Sequence, residues 1–152
     1  MKTVTLARAL QIKKRLAEDI SRVSTDIQLE NRIATDNERN VDIRQYLAKR
    51  KELVTKLTNL KLKIFEAANP IRQSILDLAE LKSESSFLQS ISTDSGKQHR
   101  RGILGESDVE YTVVITKNEV NTEIKRIEAE IDRIQYDIID KHNAVTFVEI
   151  ED

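Results

Sequence analysis

One segment of the chain has residue types suited to chemistry on a ligand: Gly96-Lys97-Gln98-His99-Arg100-Arg101-Gly102. An arginine guanidinium forks onto phosphate oxygens, a lysine adds a point charge, and N–H groups near glycine can close around an anion. Lys97, His99, Arg100 and Arg101 are therefore candidate ligands for a small phosphate-bearing, nucleotide-like anion. A solvated mobile loop has the same composition, and that reading stays open beside the first. The second candidate is Arg50, which sits where the seam of a helix calls for an apolar residue. An arginine there snorkels, pairs with a carboxylate to fix register, or points its guanidinium at a ligand.

Catalytic patterns are missing. Neither His99 nor His142 has a glutamate three residues before it, so the Glu-x-x-His di-iron pattern of helical bundles is absent. No His-Glu-x-x-His, Walker loop or dinucleotide glycine fingerprint occurs. With no cysteine, a nucleophile would have to be a serine or threonine, and no flanking pattern nominates one. The expectation is a protein that is not an enzyme and uses no metal or cofactor.

The scaffold that positions those candidates must be helical. Hydrophobic residues make up 39% and charged residues 34% of 152 residues, while aromatics are 4%, so the core must be Leu, Ile and Val. No apolar run approaches the ~20 residues of a membrane span, and the cysteine-free composition fits a reducing, cytoplasmic setting. The net charge of −1 hides a split: residues 1–68 carry 15 Lys/Arg against 9 Asp/Glu, and residues 69–152 carry 10 against 17. Acidic residues interleave the basic half and leave no clean basic stripe, which argues against nucleic acid as a partner.

Seams at alternating spacings of three and four set the element order. Ala9, Ile12, Leu16, Ile20, Val23 and Ile27 mark a helix from Thr5 to Glu30, and residues 31–40 form a polar connection. Tyr46, Leu53, Leu57, Leu60, Ile64 and Ala67 mark a second helix from Val41 to Ala68. Asn69-Pro70 reads as the N-cap and first position of a third helix, with Ile71, Ile75, Leu78, Leu81, Leu88 and Ile91 on one side. Residues 92–108 hold all three glycines and read as a flexible loop. Val109–Ile115 alternates as a strand does. Thr116 and Glu119 form a capping box for a last helix along Val120, Ile124, Ile127, Ile131, Ile134 and Ile138, closed by a left-handed Asn143. Val145–Ile150 is a second strand. A helix of ~26 residues, about 39 Å, separates the two strands, so each needs another strand, in this chain or in a second copy.

The expected fold is mainly α: a single domain, 1–152, built as an antiparallel long-helix bundle of four helices with a small β element before and after the last. Its expected function is a non-enzymatic, self-associating binding module for a small anionic ligand; the alternative is an assembly protein that docks partners through helix faces and exposed strands.

Particular stretches carry a resemblance. Leu6-Ala7-Arg8-Ala9-Leu10 opens the first helix, Asn69 ends the second, and Leu78-Ala79-Glu80-Leu81-Lys82 lies in the third. With the strand around Glu110-Tyr111 and a last helix carrying Asp132 and ending at Asn143, they resemble the septicolysin-like family of uncharacterised bacterial helical proteins. The resemblance implies an antiparallel bundle with a small β element and homo-oligomers, and no established activity.

Overall fold

Thr5 ends a strand and begins a helix. Its extended backbone (φ −66°, ψ 154°) continues β1 (Lys2–Thr5), while its hydroxyl accepts from the Arg8 N–H and so caps α1 (Leu6–Glu30). The computed structural model describes residues 1–102 and 105–151, the side chains at 100, 101 and 106 excepted. The chain is mainly α, with four long helices and small antiparallel strand pairs before and after the last of them. Contacts group the chain into two compact units, Met1–Arg72 with Asp140–Asp152, and Gln73–Ile139.

In the first unit α1 packs along α2 (Ile43–Ala67), which Asp42 caps through Gln45 N–H. The polar connection between them is tied back. Arg39 donates to the carbonyls of Glu30 and Asn31 at 3.0 Å each, satisfying orphan acceptors at the end of α1. The Glu30 carboxylate accepts from the backbone and side-chain amides of Asn40. A 3-10 turn, Asn69–Ile71, follows α2; Pro70 sits at its start, and Asn69 makes no side-chain cap, contrary to the expected N-cap role.

The N-terminal strand is not foreseen in the sequence reading, and it answers the question of strand pairing. β4 (Phe147–Ile150) runs antiparallel to β1, with Lys2 opposite Ile150 and Thr5 opposite Phe147. Val4, Leu6, Ala9, Leu60 and Val148 pack together at the core, and Ile12, Leu16, Ile64 and Ile150 close around them. The short helix α5 (Lys141–Val145) leads into β4. Its Asn143 is buried in helical backbone; among the described residues no non-glycine has positive φ, so the left-handed closure does not occur. His142 Nε2–H donates to the Ala67 carbonyl at 2.9 Å and so caps α2 rather than its own helix.

In the second unit α3 (Arg72–Ser90) and α4 (Lys117–Asp132) are joined through a hairpin, not a flexible loop. β2 (Gly96–Gly102) pairs antiparallel with β3 (Gly105–Tyr111), from Gly96 opposite Tyr111 to Gly102 opposite Gly105. The expected strand 109–115 thus lies earlier in the chain. Leu78 and Ser85 of α3 are buried, as are Val120 and Ile127 of α4, in heptad steps of seven. Both elements of the Thr116–Glu119 capping box form. Beyond α4 the winding widens to a π-helix, Arg133–Asp140. The wider turn shifts the seam: after Ile134 the next buried residue is Ile139, where a heptad calls for Ile138.

Candidate functional site

The basic segment lies on one strand of a hairpin. In β2 alternate N–H groups are taken by the ladder with β3. Lys97 stands opposite Glu110, and His99 opposite Asp108, with His99 Nδ1 2.8 Å from the Asp108 carboxylate. An acidic residue thus stands opposite each in register. Gly96 (φ 93°) and Gly105 (φ 115°) adopt conformations open to glycine, at the start of each strand. The side chains of Arg100 and Arg101 lie outside the described residues; their backbones pair with Ser107 and Glu106.

Arg50 belongs to the first unit and clamps two helices. Its Nε donates to Ser24 Oγ at 2.8 Å, and that hydroxyl donates to the Ile20 carbonyl at 2.7 Å. The guanidinium therefore links α2 to α1.

Among the described residues, large apolar side chains remain in solvent on α2 and α3. On α2, Leu47, Val54, Leu62 and Phe65 are all exposed, on a face roughly a third of a turn from the Leu53–Leu57–Leu60–Ile64 seam. Lys51 and Lys61 flank that stripe, and the Arg72 guanidinium lies 3.9 Å from the centre of the Phe65 ring. On α3, Leu76 and Phe87 are each 58% exposed, and Glu80, Glu84 and Asp77 flank them. Leu47 and Val54 are visible in sequence beside the buried seam, but only the packing tells which of two neighbouring stripes is covered.

On the opposite side of α2 a depression of about 200 Å³ opens onto the core between α1, α2 and β4. Ile12, Leu16, Leu60 and Ile150 form its walls, and Lys56, Asn59, Lys63 and Glu151 its rim. No pattern at fixed spacing foretells this site, because Ile150 reaches it through the unforeseen pairing of β4 with β1.

The flank of α4 is ordered by local charge pairs. Arg126 holds Glu123 below the ordinary carboxylate range by hydrogen bonding, and Arg133 does the same to Glu130. Glu119 is lowered first by the Thr116 backbone N–H, then by the Thr116 hydroxyl. Such exposed i,i+3 pairs lie on a solvated surface and contribute little to stability. No protein family, no curated protein and no solved structure matches the chain.

Proposed function

We propose that the protein is a non-enzymatic, self-associating helical module, in which the α2 stripe of one copy takes the α3 stripe of a second. The exposed stripes carry this reading. Val54 and Phe65 are eleven residues apart, and so are Leu76 and Phe87; both spans are about 16 Å of helix. In antiparallel apposition Phe65 meets Leu76, Val54 meets Phe87, and Lys61 falls opposite Glu80. Apolar residues therefore lie at matching heights, with opposite charge beside them. A cytoplasmic location and the septicolysin-like kinship, with its homo-oligomers, belong to the same reading. The strand argument for self-association no longer contributes, since both strands find partners within the chain.

Light scattering across micromolar concentrations tests the proposal. The expected mass is a multiple of 17.5 kDa, falling to one chain in Leu62→Glu/Phe65→Glu. Lys61→Glu and Glu80→Lys should each weaken assembly, and together restore it. A mass of one chain up to about 100 μM, a range that covers ordinary micromolar self-association, overturns the reading.

A further inference from the structure

We infer that the depression between α1, α2 and β4 is a binding site for a small amphiphilic monoanion, a short-chain carboxylate. It uses the face of α2 opposite the docking stripe and does not depend on the self-association proposed above. Its walls, Ile12, Leu16, Leu60 and Ile150, are aliphatic and continuous with the core cluster. A volume of about 200 Å³ is that of roughly seven waters at ~30 Å³ each, which suits an acyl tail of about that many carbons. An aliphatic wall left open to water favours such a tail by the hydrophobic effect.

The rim selects the headgroup. Lys63 is half-buried, and among the described residues its ammonium has no hydrogen-bond or ion-pair partner. A lysine covers apolar surface with its stem and keeps its ammonium at the water boundary, so the Lys63 charge stands at the rim beside the aliphatic walls. Lys56 and Glu151 also stand at the rim. Asn59 Nδ2 donates to Glu151 Oε1 at 3.4 Å, which turns that carboxylate toward the asparagine. A carboxylate headgroup supplies the partner that the Lys63 ammonium lacks among the described residues. A long-chain lipid exceeds the volume, and a bare inorganic anion leaves the aliphatic walls wet.

Calorimetric titration with octanoate, octan-1-ol and acetate separates tail from charge. Octanoate is expected to bind at least about tenfold more tightly than either of the others, a difference of ~1.4 kcal/mol. Lys63→Met keeps the aliphatic stem and removes the charge. It should weaken octanoate about tenfold and leave octan-1-ol unchanged. Leu16→Trp fills the space and should abolish octanoate binding; its melting temperature reports whether it folds, and Lys63→Met decides the matter if it does not. Octanoate binding no tighter than octan-1-ol, or unaffected by Lys63→Met, overturns the site.

Discussion

The two units bury their apolar residues in different ways. In Met1–Arg72 with Asp140–Asp152, two helices and a two-stranded sheet converge, so Leu6 and Ala9 touch strand, helix and helix at once, at 1% and 0% exposure. In Gln73–Ile139 burial follows a line, Leu78 and Ser85 on one helix and Val120, Ile127 and Ile134 along the next, while no described residue of the hairpin strands is fully buried. A seam distributes its stability over evenly spaced residues, whereas a convergent core concentrates it. The contrast yields substitutions that should differ in size.

The largest effect is expected at Ile127. This side chain is 1% exposed, so Ile127→Asp removes its packing and places an unpaired carboxylate in the seam. The combined loss is more than about 4 kcal/mol, and denaturant unfolding should show the variant largely unfolded. Leu6→Ala should follow, at roughly 2–5 kcal/mol, because it opens a cavity where strand and helices meet. If Ile127→Asp unfolds no more readily than Leu6→Ala, the seam is wetter than its burial indicates and the contrast between units fails.

Legibility in the sequence follows the same contrast. Periodicity reports one element and its own face, so the seams of α1, α2 and α4 and the Thr116 capping box could be read directly. What depends on convergence could not. Lys2–Thr5 is only four residues, too short for alternation to declare, and its partner β4 lies some 145 positions away. The Gly-rich composition of 96–105 suits a loop, yet glycine at φ 93° and 115° serves equally at the ends of a hairpin. The basic residues there were legible, but the carboxylates opposite them follow from register. The depression beside Lys63 needed both the helix pair and the strand.

An intermediate effect is expected at the mouth of α4. Thr116→Ala removes the hydroxyl that accepts from Glu119 N–H at 3.2 Å, which typically costs about 1 kcal/mol, or ~2–4 °C in melting temperature for a chain of this size. The acid limb separates the two halves of the box. Glu119 has a lower pKa folded than unfolded, chiefly through the Thr116 backbone N–H. Its contribution is therefore present above the unfolded value, near 4.5, and is lost as pH falls through the folded value. Wild type and Glu119→Gln should differ at pH 7 and converge as the pH falls through the folded value. Thr116→Ala should keep most of this pH dependence, because the backbone donor remains. Parallel pH profiles for wild type and Glu119→Gln would show that the carboxylate contributes nothing to the cap.

The smallest global effect is expected in the hairpin. Gly96 has φ 93°, and a Cβ added there meets nothing within 4 Å, so Gly96→Ala adds backbone strain without a clash. That strain is about 1–2 kcal/mol, and it falls on a strand whose described side chains are all exposed. Local opening can relieve it without disturbing the buried seam. Hydrogen exchange should accelerate at the amides of β2 and β3, while the melting temperature moves by no more than about 1 °C. Gly102→Ala is the internal control. Its Cβ would lie 3.7 Å from the Gly105 carbonyl oxygen, an ordinary contact, and its φ lies outside the positive range. It should therefore change exchange less than Gly96→Ala does. A drop in melting temperature for Gly96→Ala as large as that for Leu6→Ala would mean that the hairpin unfolds with the seam. The second unit would then be a single cooperative element, and its stability would not be confined to the line from Val120 to Ile134.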